Sequence, residues 1–403
     1  RDVDKAIYYL LLASKQNDQV AQLRLGLIYY TSPYIPHDIN KAIHYFSLAA
    51  EQQNPKAQFC LGHIYCEGKD LQRNVEAGIN YYLLSANQNF ADAQKNLGII
   101  YYEGKIVPRD IKKAINYLSL AANQSHEEAL YLLGKIYFDG VFVPQNINKA
   151  IHYFSLAANQ DHSESQYIIG LMLFEDFDKS NKNKGIGYLT RSSNNGNVKA
   201  HFTLGYLHHE GRFVEKNINK AIHYYKEAST LNDEYAKNNL GVLNKNGFGA
   251  NYKKNVGMAI QYFEEAIKQN NEVAMYNLAH MYLYDDSFET NNDNKKIFEL
   301  LIESSNRGFP PSIVLLCLAL VKKFGFDLNN IKIELEKFTG KKSNLLFLVC
   351  NMIKDKQLDN RLIFDIQFQR YKKIDFVFNH LKFCFISDIL LNQRSDQNHK
   401  EDL

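Results

Sequence analysis

Tryptophan is absent from this chain of 403 residues, and proline, cysteine and methionine are scarce, at 7, 5 and 5 residues. The five cysteines (Cys60, Cys66, Cys317, Cys350, Cys384) recur at no fixed interval. They imply no disulfide framework and favour a reducing compartment. Charge of one sign is also lacking. The 47 Lys and Arg residues against 44 Asp and Glu leave +3, too little to suggest nucleic acid as a partner. No run of about 18 apolar residues, the length a membrane helix needs, is present. The nearest stretch, 374–391, is interrupted by Asp375, Asn379, His380, Lys382 and Asp388 and reads as a soluble helix. No signal-peptide pattern is seen. Lys400-Glu401-Asp402-Leu403 has the letters of an ER-retention tetrapeptide in the wrong order.

What is present is a period of about 36 residues. Leu-Gly or a close variant falls at Gly26, Gly62, Gly98, Gly134, Gly170, Gly205, Gly241 and, as Leu-Ala, Ala279. A period of this size signals a solenoid whose units must stack to bury their apolar faces. Each unit reads as two helices: helix A carries Leu-Gly, and helix B carries Lys-Ala-Ile. Helix B follows Asp or Asn at Asp2, Asp38, Asn74, Asp110, Asn146, Asn181, Asn217 and Asn255, residues suited to N-caps. Small residues such as Ala42 and Ala49, or Ala150 and Ala157, lie two turns apart and allow close helix approach. Between them, Tyr45, Phe46 and Leu48, Tyr81, Tyr82 and Leu84, and Tyr153, Phe154 and Leu156 are expected to fill the stack. Gly68, Gly104, Gly140, Gly211 and Gly247 mark the end of helix A, where left-handed geometry is wanted. Helix B ends at Asn17, Asn89, Asp161, Gly196, Asn232, Asn270 and Gly308; Gln53 and Ser125 depart from that residue type.

The joint pattern Ala-x-x-x-Leu-Gly-x-x-Tyr-x-x-Gly, then Asp/Asn-x-x-Lys-Ala-Ile-x-Tyr-Tyr/Phe-x-x-Ala-Ala, is clearest at Ala93–Ala122 and Ala129–Ala158. It resembles the Sel1-like repeat, a relative of the tetratricopeptide repeat. The resemblance covers residues 1–308 and implies an all-α, right-handed α-α superhelix (solenoid) of about eight helical hairpins. Helices A would line its concave face. Family members are mostly adaptors and scaffolds. Some serve ER-associated degradation, and in some protists the repeats accompany kinase domains. Residues 309–393 read as a divergent helical C-terminal cap, with a separate partner-binding domain as the competing reading. Residues 394–403 read as a polar, disordered tail. Residue 1 is Arg, and residues 2–7 already read as the start of a helix B, which points to a piece of a longer protein.

No enzyme chemistry emerges. Gly340-Lys341-Lys342-Ser343 lacks the upstream glycine and strand of a phosphate loop. His44, His152 and His223 are a unit or more apart and read as surface residues. Cys60, His63 and Cys66 lack a fourth zinc ligand nearby. No catalytic site, metal site or cofactor is expected. The function expected is a non-enzymatic protein-interaction scaffold. A regulatory arm of a larger enzyme such as a kinase, and an adaptor in ER-associated degradation, are the alternatives. A cytoplasmic location is favoured, with the endoplasmic reticulum as the alternative.

If helix A packs as the resemblance implies, positions three before and four after the Leu-Gly glycine face the groove. They hold Phe59, Tyr131, Tyr167, Phe202 and Tyr276, then Tyr30, Tyr102, Phe138 and Phe174. The next position is acidic in Glu67, Glu103, Asp139, Glu175 and Glu210. An acid in a helix's last turn opposes the macrodipole by a few tenths of a kcal/mol, so the series wants a reason. Duplication, or pairing with Lys41 or Lys113, is one. A groove suited to a protein or peptide partner with basic and apolar residues is the other. The first helix B is expected to expose Tyr8, Leu11 and Leu12, an open N-terminal end through which the chain could self-associate.

Overall fold

A computed structural model of the chain describes residues 3–68, 72–174, 179–211, 213–248, 252–284, 294–309, 311–324, 327–339 and Val349. These residues form helices and no strand; a single antiparallel bridge joins Phe248 and Tyr252. The chain divides into two compact units, Arg1–Lys216 and Asn217–Leu403.

The first unit holds α1 (Val3–Lys15), α2 (Gln19–Thr31), α3 (Ile39–Glu51), α4 (Pro55–Glu67), α5 (Val75–Asn87), α6 (Ala91–Glu103), α7 (Ile111–Asn123), α8 (Glu127–Asp139), α9 (Ile147–Ala158), α10 (Ser163–Phe174), α11 (Lys179–Asn194) and α12 (Val198–Glu210). Even-numbered helices here are the A helices. Each A helix from α2 to α10 packs most closely on the B helix that follows it, and each of these B helices packs less extensively on the next A helix. The second unit holds α13 (Ile218–Thr230), α14 (Glu234–Asn246), α15 (Val256–Ile267), α16 (Glu272–Tyr284), α17 (Asn294–Asn306), α18 (Pro311–Phe324) and α19 (Leu328–Thr339).

The helix starts are built as the caps predict. Asp38, Asn74, Asp110, Asn146, Asn217 and Asn255 each accept the backbone N–H three residues on, at 2.9–3.1 Å. Asn181 is the exception: α11 begins at Lys179, so Asn181 lies inside the helix. Asp2 is outside the described residues. Helices A start on Asp18, Asn54, Asn197, Asp233 and Asn271 in the same way. Phe90 caps α6 without a side-chain bond, and its ring packs on Phe59 at 5.4 Å.

Helix B ends identically throughout. Nine residues there have positive φ, including Gln53 (62°) and Ser125 (61°), the two whose type departs from the rule. At each, the next N–H reaches back to a small residue near the helix end, as in Asn54 N to Ala49 O (3.1 Å) and His126 N to Ala121 O (3.1 Å). This six-to-one bond closes the helix whatever the side chain. Where that small residue is serine, its hydroxyl binds helix A of the same unit: Ser85 Oγ donates to Pro55 O at 2.7 Å.

The core is small residues plus one ring or leucine per hairpin. Ala42, Ala114, Ala150, Ala221 and Ala259 are fully buried, and Phe46, Tyr82, Leu118, Phe154, Leu189, Tyr225 and Phe263 fill the space beside them. Part of the expected filling lies elsewhere. Tyr45, Tyr81 and Tyr153 are half-buried and stack on Tyr29, Tyr65 and Tyr137, with rings within 8° of parallel. Leu84 and Leu156 are exposed, at 50% and 39%, because they lie on the far side of helix B from its partner.

A row of buried glutamines was not anticipated. Gln58 donates to Ala50 O (3.3 Å) in the preceding hairpin and accepts from Gln88 Nε2 (2.8 Å) in its own. Gln94 repeats the arrangement with Ala86 O and Gln124. Each amide thus joins two successive B helices and leaves no buried donor unmet.

Helix α1 has no buried residue; Tyr8 and Leu12 are exposed and Leu11 half-buried. In the second unit, α16–α19 share one cluster around Phe298, Leu301, Leu316, Cys317 and Leu335. Ile331, where other hairpins hold Ala, is fully buried in it. Apart from Val349, residues 344–353 and 374–403 lie outside the described residues.

Candidate functional site

Helix A ends in a recurring device. Gly68, Gly104, Gly140 and Gly211 close it with φ of 61–71°. The loop then sends a donor back to the helix's last turn. His37 Nδ1 lies 2.9 Å from Tyr30 O, Arg73 Nε donates to Cys66 O (2.8 Å), Arg109 Nε to Tyr102 O (2.9 Å), and Gln145 Nε2 to Phe138 O (2.7 Å). These donors satisfy carbonyls that the helix leaves open, and the arginines bring positive charge to its negative end. The acids in the last turn therefore sit beside a compensated terminus.

At one such end a cleft of about 450 Å³ opens. Its walls are Cys66 of α4, Tyr82 of α5, and Asn96, Ile99 and Ile100 of α6, with Ile106 from the following loop. Its rim carries His63, Glu67, Arg73, Glu103 and Lys105. Asn96 Nδ2 donates to the Tyr82 hydroxyl at 3.2 Å. Burial pushes the Tyr82 phenol and the Cys66 thiol up, keeping both neutral. The rim is mixed rather than acidic. His63 Nε2 lies 3.5 Å from Glu67, and Lys105 lies 3.4 Å from Glu103. Lys41 and Lys113, expected as partners of the acids, pair instead with the caps Asp38 (3.1 Å) and Asp110 (3.8 Å).

The other expected groove residues divide. Glu67, Glu103 and Glu210 are exposed. Asp139 is half-buried; its Oδ1 is shielded without a hydrogen-bond partner, and burial pushes its carboxyl up against the pull of Lys135. Phe59, Tyr30, Tyr102, Phe138 and Phe202 are half-buried. Tyr131 is too; it lies 4.7 Å from the His162 ring, and its phenol is pushed up to about 12, by burial first and by Glu164 and Asp139 after it. Tyr167 and Tyr276 are buried, at 1% and 6%, and serve the core instead of a surface. The Phe174 side chain and Glu175 lie outside what is described. Cys60 is held in the core beside Ala57 and Leu61, its thiol pushed up to about 11 by burial, while Cys66 belongs to a separate cluster around Leu97. His44, His152 and His223 are exposed on helices B.

Sequence reasoning missed Arg73, Asn96 and Ile106. The available signal was Cys66 itself, a small residue where Tyr30, Tyr102, Phe138 and Phe174 stand in neighbouring repeats.

Comparison with known proteins agrees with this architecture. The Sel1 repeat pattern matches residues 1–18, 19–54, 55–90, 91–126, 127–162, 163–197, 198–233, 234–271 and 273–308. Among solved structures, the chain is similar to a protective antigen of uropathogenic Escherichia coli strains displaying an SLR fold. That match has 20% identity and a TM-score of 0.71, and covers 86% of this chain and 79% of the antigen. A Sel1 repeat protein from Oxalobacter formigenes is similar at 20% identity and a TM-score of 0.57, covering 76% and 87%. At such identities the likeness is one of fold. Among curated proteins no relative matches.

Proposed function

This chain belongs to the Sel1 repeat family, whose members are in general non-catalytic protein-interaction scaffolds, and from that premise we propose that it binds a peptide segment of a partner along the C-terminal ends of its A helices. The observation that carries the reading is the cleft between α4 and α6. An apolar floor there meets a rim of exposed charges on consecutive repeats. The pairs His63–Glu67 and Lys105–Glu103 are solvent-exposed, and such pairs are worth about 0–1 kcal/mol. A basic residue of a ligand can therefore displace them at little cost and take Glu67 or Glu103 for itself. Helix A supplies a rigid platform, so little ordering is needed on binding. No described helix is long and apolar enough to cross a membrane.

The test is an array of peptides carrying basic and apolar residues, with hits measured in solution against the whole chain. Glu67→Lys/Glu103→Lys is expected to weaken binding by an order of magnitude or more, and raising salt to weaken it further. Tyr131→Ala, two helices away, reports how far the surface extends. Unchanged affinity in both variants, with helicity intact, would move the binding surface off these helix ends.

A further inference from the structure

The cleft between α4 and α6 exists because two side chains differ from their counterparts one repeat on. A shift of 36 residues takes Cys66 to Tyr102, Arg73 to Arg109 and Ile106 to Phe142. In the later repeat these three form a closed cluster. Arg109 donates through Nε to Tyr102 O, its guanidinium lies 4.3 Å over the Phe142 ring, and Tyr102 meets that ring edge-on at 5.7 Å. In the earlier repeat Arg73 is held by the same atom on the same carbonyl. Both rings are gone. The Cys66 thiol packs back against Gly78, where a β-carbon would lie 2.5 Å from Sγ; the later repeats carry Ala114 and Ala150 at that position. Ile106 is too short to cover the guanidinium as Phe142 does. The result is an anchored arginine beside an open, apolar-floored space.

We propose that this cleft takes an aromatic side chain, Phe or Tyr, from the partner peptide, its ring lying against Arg73 over Ile99, Ile100 and Ile106. The inference rests on the peptide-binding reading above and names the anchor of that site. The next repeat serves as an internal reference for what the same backbone frame accommodates: a ring under a guanidinium. A planar guanidinium rewards a ring face more than a branched aliphatic chain. Side chains seated in a desolvated pocket near the centre of an interface carry most of its energy, and aromatic residues lead that class. Glu67 and Glu103 on the rim favour basic residues on either side of the anchor and oppose acidic ones.

The experiment uses the whole chain with isoleucine methyl labels, titrated with N-acetyl-phenylalanine amide and, separately, N-acetyl-leucine amide. Saturable ring-current shifts are expected at Ile99, Ile100 and Ile106 with the phenylalanine probe, in the low-millimolar range usual for a single side chain, about 1–10 mM. The leucine probe should bind at least several-fold more weakly. Arg73→Gln should weaken the phenylalanine probe by about fivefold. Cys66→Tyr/Ile106→Phe, which rebuilds the later repeat's cluster, should abolish the shifts while keeping the melting temperature; Ile106→Phe alone serves if the double variant folds poorly. Equal binding of the two probes, or shifts that survive filling the cleft, would overturn the proposal. A phenylalanine probe that leaves all three methyls unmoved would overturn the anchor even if Glu67→Lys/Glu103→Lys still weakens peptides. Peptide affinity indifferent to those charge reversals, with the probe seated as expected, would leave the anchor standing and overturn the wider surface.

Discussion

The ring of Phe154 occupies the space a side chain on Gly134 would need: a β-carbon there would lie 2.6 Å from Phe154 Cδ1. Gly26 and Phe46, Gly62 and Tyr82, Gly98 and Leu118, Gly170 and Leu189, and Gly241 and Phe263 stand in the same relation. The helix-A glycine is thus a seat for a helix-B side chain. Its cost of about 1 kcal/mol in helix propensity is offset by the packing it allows.

That seat sets up a comparison within one protein. Gly134→Ala raises helix propensity yet should destabilise by about 1–3 kcal/mol, because the ring must move. Gly187→Ala, in α11, meets nothing within 4 Å and is exposed, so it should stabilise by about 0.5–1 kcal/mol. Chemical denaturation of both variants decides it. The opposite order would mean that the glycine is kept for something other than the ring.

The glutamine row gives a second comparison. Gln94 is buried and bonded to Ala86 O and Gln124, yet the same position one repeat later is Leu130, equally buried. The chain therefore already contains an apolar solution for this site. Gln94→Ala leaves a void and unmet amide partners and should cost about 1–3 kcal/mol. Gln94→Leu should cost less than about 1 kcal/mol, since Ala86 O still accepts Asn89 N at 3.0 Å. Similar losses in thermal melts for the two variants would show that the hydrogen bonds, and not the volume, hold the site.

The fold was legible because its signals repeat: Asp38, Asn74, Asp110 and Asn146 cap, Ala42, Ala114 and Ala150 pack, and Gly68, Gly104 and Gly140 turn, all in one register. Three kinds of feature were not. Gln53 and Ser125 take left-handed geometry because a six-to-one backbone bond imposes it, and a backbone bond leaves no residue signature. Gln58 and Gln94 are buried although glutamine is ordinarily a surface residue, and only the stack supplies their partners. The cleft needs Cys66, Arg73 and Ile106 together, and these meet only when the helices and loops are placed in space. The groove positions were drawn from a one-dimensional rule, and Tyr167 and Tyr276 fail it because their rings turn into the core.

Asp233, the cap of α14, supplies a pH signature. It accepts Ala236 N at 2.6 Å, but burial raises its carboxyl to about 6. A raised acid binds more protons folded than unfolded, so its contribution to stability is fullest below the ordinary carboxylate value and falls as pH rises through about 6. Asn54, Asn197 and Asn271 cap the equivalent helices without a charge. Asp233→Asn should therefore stabilise by about 1 kcal/mol at pH 7.5, the full shift being discounted for the partial exposure of the site. Near pH 4 the gain should vanish. Melting curves across this range test the sign; a gain that grows as pH falls would contradict it.

Arg109 and Phe142 give the energetic reference for the vacant counterpart one repeat earlier. Arg109 bonds Tyr102 O and Glu103 O and lies over a ring that is 41% exposed, whereas Arg73 has only the Cys66 O bond among these. An exposed cation–π pair is worth about 0.5–1 kcal/mol. A double-mutant cycle of Arg109→Gln and Phe142→Ala should return a coupling of that size, measured on the whole chain by denaturation. Arg73→Gln with Ile106→Ala should return a coupling near zero, because among the described residues no ring lies over that guanidinium. Ile106→Phe in an otherwise unchanged chain should then create a coupling to Arg73 where none existed. Couplings of equal size in the two original repeats would mean that Ile106 already does for Arg73 what Phe142 does for Arg109, and the space beside Arg73 would hold no unmet preference for a ring.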